Sequence, residues 1–144
     1  MRNSQLFNIY TRKNFSSKEE VLSFLESEGH KLTGIDSSEF KTKLFQREEQ
    51  GSIEIAPGVL LPHFESSSFI KSKVLILSLK QAIQHWSKEI CNVKLVIVIL
   101  LKTEEKKSIK QAIMEFTRKL ADDKYLNKLM NLENKNRNEG DDFL

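Results

Sequence analysis

The chain has 144 residues, close to the commonest size for a single domain and enough to bury one sizeable core. Hydrophobic residues at 39% and charged residues at 30% are ordinary for a folded globular protein and exclude a disordered chain. The 23 basic and 20 acidic residues leave a net charge of only +3, too balanced for the electrostatic footprint of a direct nucleic-acid binder.

Leu6 to Phe15 mixes polar residues with Phe7, Ile9, Tyr10 and Phe15, which predicts a short extended segment that lays its aromatics on the core. No signal-peptide pattern opens the sequence. The longest apolar run, Leu95 to Leu101, has 7 residues, against the ~20 that a spanning helix needs. A cytoplasmic location without membrane insertion is therefore expected.

Ser17 and Glu20 form a capping box ahead of Val21, Leu22, Phe24 and Leu25, predicting a helix to about Glu28 that Gly29 stops. His30 then falls in a helix-end loop. Asp36 with Glu39, and Ile35 with Phe40 as a hydrophobic staple, open a second helix. Its apolar face is Phe40, Leu44 and Phe45, and it delivers Arg47 to its C-terminal end before the Gly51-Ser52 break.

Pro57-Gly58 is a turn signal between Ile53, Ile55 and Val59, Leu60, Leu61, so a short hairpin is expected there. Pro62 has no N–H for a sheet ladder; the strand stops at it or lies at an edge. His63 is then placed just past a strand end, on an accessible loop. An imidazole is a competent nucleophile toward phosphorus or carbon. Taken alone, a histidine after a proline is usually a plain surface-loop residue.

Phe64 to Ser68 reads as a serine-rich loop with hydroxyls for an anion, and Lys73 to Leu79 as a strand. Gln81 to Ile90 is a polar connection in which Ile83 and Trp86 touch the core and His85 faces solvent. Cys91, the single cysteine, excludes an intramolecular disulfide and reads as a buried, inert thiol in a reducing compartment. Val93 to Leu101 is nearly continuous and branched, as a strand buried on both faces should be. Thr103, Glu104 and Glu105 open a helix bearing Ile109, Ala112, Ile113, Phe116 and Leu120 at helical spacing. Asp122 caps a last helix with Leu126, Leu129 and Met130 on one face, and residues 133–144 form a loose tail. The alternation predicts one α/β domain over 1–144, a three-layer arrangement with a central mixed β-sheet flanked by helices.

The stretch from Arg47 to His63, REEQGSIEIAPGVLLPH, resembles the signature of the fructose/mannitol-type (type-2) enzyme IIA domains of the bacterial sugar phosphotransferase system. R-E, then G-S, then G-V-apolar-apolar-P-H carry the resemblance, and the element order from Ser17 to about Leu132 fits it. The resemblance implies that His63 is the phosphoacceptor and that Arg47 stabilises the phosphate beside it. It further implies the small carrier HPr as donor and an enzyme IIB domain as acceptor, with no cofactor and no metal. Serine hydroxyls and backbone amides near Ser52 or Ser66 to Ser68 are candidate additional donors.

The sequence also departs from that pattern. Many members carry a second histidine near the start of the helix after the long buried strand, whereas Lys102 to Lys110 contains none and leaves Lys106 and Lys107 to supply positive charge. Glu54 and Ala56 replace residues that are often glycine, Ile53 stands where threonine is common, and Pro57 where asparagine is common. The same type of domain occurs in sugar-responsive transcription regulators and antiterminators, where phosphorylation is a signal. A regulator module is thus the alternative partner.

Overall fold

The computed structural model describes residues 5–132. The expected loose tail at 133–144 lies outside the described residues. A mixed six-stranded sheet has the order β1-β5-β6-β3-β2, with β4 also paired to β6. The strands are β1 (Phe7–Lys13), β2 (Glu54–Ala56), β3 (Val59–Leu60), β4 (His63–Ser66), β5 (Lys73–His85) and β6 (Cys91–Lys102). The helices are α1 (Lys18–Thr33), α2 (Ser37–Glu49), α3 (Lys107–Lys119) and α4 (Asp123–Met130).

Two apolar layers sandwich the sheet. Val21 and Leu25 of α1 with Phe40 and Leu44 of α2 pack on Leu75, Leu77, Val96, Val98 and Leu100. Phe116 and Leu120 of α3 with Leu126 and Leu129 of α4 pack on Val74, Ile76, Leu95, Ile97 and Ile99. Alternation along β5 and β6 feeds both faces, which is why the long apolar run forms a central strand. The expected three-layer α/β domain is what forms.

Local signals act as their chemistry dictates at several boundaries. The Ser17 hydroxyl accepts from the Glu20 amide at 3.2 Å, Asp36 from Ser38 at 3.1 Å, and Asp122 from Lys124 at 2.9 Å, each satisfying an orphan donor of a first turn. Ile35 and Phe40 are both fully buried, as a staple requires. Gly58 turns the β2–β3 hairpin with φ of 77°, and its carbonyl accepts from Lys94 and Leu95 of β6. A Cβ at this glycine would stand 2.6 Å from the Asn92 carbonyl oxygen.

Elsewhere the packing overrides the local signal. Gly29 does not end α1; it lies inside the helix, buried against Phe40, and the left-handed cap is Gly34 with φ of 81°. His30 accordingly sits in the last turn, its Nδ1 2.9 Å from the Ile35 carbonyl. Phe45 is 60% exposed, so the buried face of α2 is Phe40 and Leu44 alone. β5 continues through Gln81 to His85, because β6 pairs with it past a register shift after Ser78. Cys91 is exposed, since it opens β6 before the strand enters the core at Val93. α3 starts at Lys107 rather than Thr103: Glu104 takes φ of 61° in a turn and Glu105 is drawn to Ser72.

Candidate functional site

β3 and β4 are successive segments along one side of β6. Val59 and Leu60 pair with Leu95 and Val96, and His63 to Ser66 pair with Ile99 to Lys102, all parallel. Leu61 and Pro62 interrupt the run without ending it, because the Pro62 carbonyl still accepts from the Ile99 amide at 3.1 Å. His63 is therefore the first residue of a second strand segment, not a loop residue past a strand end. Proline supplies the acceptor and lacks only the donor, so it sits at this edge without breaking the pairing.

Register places the imidazole. Phe7 of β1 pairs with Val74 of β5, Val74 with Ile99 of β6, and Ile99 with His63 of β4. Partners across a ladder share a face, so the four side chains form a row on the α3/α4 side of the sheet. Ile99 is 6% exposed, whereas His63 at the end of the row is open to solvent. Phe64 and Ser66 point the other way, toward α2, where the Phe64 ring meets Phe40 with centroids 5.7 Å apart.

α3 crosses the same face. The Phe116 ring lies 5.1 Å from Phe7, at the opposite end of the row. β1 and β4 are three strand spacings apart, about 14 Å; the helix from Lys107 to Phe116 spans about 13.5 Å. The N-terminus of α3 lies at the other end of that span from Phe116. That N-terminus has no side-chain cap, has no acid in its first turn, and is flanked by Lys106 and Lys107. Its free N–H groups and two ammonium groups favour an anion.

Ser72 holds this start in place. Its hydroxyl accepts from the Lys102 amide at 2.8 Å and donates to Glu105 at 2.5 Å. Burial works to raise the Glu105 carboxyl, but hydrogen bonds from Ser72 and the Lys106 amide outweigh it and hold the group below its usual range.

Arg47 lies in the last turn of α2 and donates from Nη1 to the Gly51 carbonyl at 3.2 Å. Two residues on, the Ile53 carbonyl accepts from the Leu61 amide at 2.7 Å. Arg47 is thus tied to the connection between α2 and β2, and it stands on the α2 side of the sheet, opposite the face of His63. No hydrogen bond joins the Arg47 and His63 side chains.

Of the candidate additional donors, Ser52, Ser66 and Ser68 are otherwise employed. Ser66 and Ser68 donate to the Glu39 carboxylate at 2.9 and 2.8 Å, and Ser66 is buried on the face opposite His63. These two bonds, Ser68 first, hold the Glu39 carboxyl below its usual range. The Ser52 hydroxyl accepts from the Glu54 amide at 3.1 Å. Glu39 is the functional-site neighbour that sequence reasoning assigned only to helix capping. His85 is at the far end of β5 and His30 on α1, so neither meets His63. Among the described residues no cluster of three or more His, Cys, Asp or Glu could hold a metal ion.

Residues 5–137 match the family described as phosphoenolpyruvate-dependent sugar phosphotransferase system, EIIA 2. No curated protein matches the chain by sequence. Among solved structures it is similar to nitrogen regulatory protein IIA-Ntr from Neisseria meningitidis, with TM-score 0.71, 16% identity and 97% of each chain covered. It is also similar to IIA mannitol from Escherichia coli, with TM-score 0.65 and 20% identity over 90% of this chain and 92% of that one. A third similar structure is enzyme IIA mannitol in complex with phosphorylated enzyme IIB mannitol from Escherichia coli, with TM-score 0.68 and 19% identity over 94% and 97% of the two chains.

Proposed function

Because the chain belongs to the EIIA 2 family of the phosphoenolpyruvate-dependent sugar phosphotransferase system, we propose that it is a cytoplasmic phosphoryl carrier that accepts phosphate on His63 from phospho-HPr and passes it to an enzyme IIB domain. The observation that carries this reading is the place of His63: exposed at the end of the Phe7–Val74–Ile99 row, on the sheet face that α3 covers through Phe116. A ring nitrogen of His63 forms a P–N bond as the donor's P–N bond breaks, so one phosphoryl group moves and no oxidant or metal is consumed. Arg47 offers a forked cation on the α2 side of the sheet, and Lys106, Lys107 and the free amides of α3 offer positive charge on the other. Positioning and electrostatics of this kind carry most of phosphoryl transfer. The IIB partner is supported by the printed complex of the Escherichia coli mannitol proteins.

Incubation with phosphoenolpyruvate, enzyme I and HPr is expected to add one acid-labile phosphate to the wild type and none to His63→Ala. An unlabelled wild type beside a labelled control IIA overturns the reading.

The regulatory reading rests on one specific observation. The three histidines of the chain are far apart in the fold, so no second imidazole assists onward transfer from His63. In that reading phospho-His63 is a signal to a regulator module, as the similarity to a nitrogen regulatory protein also allows. Label that reaches His63 and stays there with cognate IIB present supports signalling, and rapid onward transfer supports carriage.

A further inference from the structure

His63 and Glu65 are alternate residues of β4, both exposed, and they pair in unbroken register with Ile99 and Leu101 of β6. Alternate residues of one strand share a face, so both side chains leave the α3/α4 side of the sheet, their origins two strand rises or about 7 Å apart. Phe64 and Ser66 turn the other way, to Phe40 and Glu39. Glu39 is held by Ser66 and Ser68, and Glu105 by Ser72. Glu65, by contrast, makes no hydrogen bond or ion pair among the described residues. Its neighbour across the ladder is the apolar Leu101, so no cation there offsets its charge.

From this we infer that Glu65 sets the phosphoryl-transfer potential of His63 by destabilising the phosphorylated state. The inference rests on the carrier reading of His63 and adds the residue that governs how readily the group is given up. Phosphorylation places about two negative charges on the ring at neutral pH, and the unpaired carboxylate stands at the next position of the same face. Repulsion between such groups at about 7 Å in water changes an equilibrium about fivefold at low salt, and about twofold once salt shortens the Debye length to about 8 Å. That size is enough to matter here. In the exchange one P–N bond forms as another breaks, so the bond energies nearly cancel and a modest field decides the balance. An exposed glutamate elsewhere on the surface would be only a solvated charge; the shared face and adjacent position give Glu65 its target.

The equilibrium constant for phosphoryl exchange between phospho-HPr and the full chain tests this, because it compares free species and does not depend on how the two proteins dock. Glu65→Gln is expected to shift it about fivefold toward phospho-His63 at low salt, and Glu65→Lys further in the same direction. Both shifts should shrink at high salt, with that of Glu65→Gln falling to about twofold or less. Glu65→Asp keeps the charge and should stay within about twofold of wild type. A constant that Glu65→Gln leaves unchanged, or moves toward phospho-HPr, overturns the inference and leaves the carrier reading standing. A wild type that phospho-HPr does not label overturns the carrier reading, and the inference falls with it.

Discussion

The Ser66 hydroxyl of β4 donates a 2.9 Å hydrogen bond to the Glu39 carboxylate in the first turn of α2, tying the strand that begins with His63 to the helix whose last turn holds Arg47. Ser68 adds a second bond at 2.8 Å. Among the described residues no strand lies beyond β4, and this clamp and the Phe40–Phe64 contact hold the edge against α2. Glu39→Ala should raise amide exchange at Phe64 to Ser66 about tenfold or more while leaving β5 and β6 protected. Glu39→Gln keeps an acceptor and should restore much of the protection. The Glu39 carboxyl is held below its ordinary value, so the clamp contributes fully above the unfolded carboxylate range of about 4.3 and is lost as pH falls through the depressed folded value. Exchange measured down an acid series checks the sign.

Among the described residues the Arg47 side chain makes one hydrogen bond, to the Gly51 carbonyl, so its removal should leave stability near wild type. Its effect belongs to the reaction. Arg47→Ala is expected to slow phosphorylation of His63 about 10²-fold, the usual cost of removing one donor from a developing anion. Arg47→Lys should recover only part of that, because a point charge lacks the guanidinium fork. Equal labelling rates for all three proteins would remove Arg47 from the site.

A methyl group at Gly29 would stand 2.9 Å from Cε2 of Phe40, whose side chain is fully buried. The ring has no solvent-facing space to retreat into, so the α1–α2 contact must spread. Gly29→Ala should therefore destabilise the protein by about 1–3 kcal/mol in denaturant unfolding, despite alanine's better helix propensity. A gain in stability would show that the ring adapts at no cost.

Both tyrosines of the chain should resist ionisation. Burial raises Tyr10, and its 2.7 Å hydrogen bond to Glu28 raises it further. Burial alone pushes Tyr125 up to about 12. Phenolate absorbance of the folded protein should stay low past the ordinary tyrosine value of about 10. The unfolded chain ionises there first, so this contribution to stability is complete below about 10 and declines as pH rises beyond it. A full-amplitude phenolate transition near 10 in folded protein would contradict the buried placement.

Much of the architecture was legible along the chain, where neighbours in sequence are neighbours in space. Ser17, Asp36 and Asp122 cap helices through bonds two or three residues away, and Pro57-Gly58 turns a hairpin whose partners are adjacent. The continuous burial of Leu95 to Leu100, with alternate residues entering opposite helix layers, follows from the period of a strand covered on both faces. His63 and Arg47 were nominated by the resemblance of the Arg47-to-His63 stretch to a family signature, not by local chemistry. What the tertiary structure decided was every feature that needs a distant partner. Gly29 looked like a helix stop until Phe40 was packed on it, and Cys91 looked buried until β6 was seen to begin outside the core. Ser66 and Ser68 looked like phosphate donors until Glu39 claimed them. His63 itself became a strand residue because β6, some 36 positions later, accepts it in parallel register opposite Ile99. Parallel pairing joins segments that no local periodicity relates, so the face on which His63 stands, and the helix layer that shares it, could be set only by the assembled sheet.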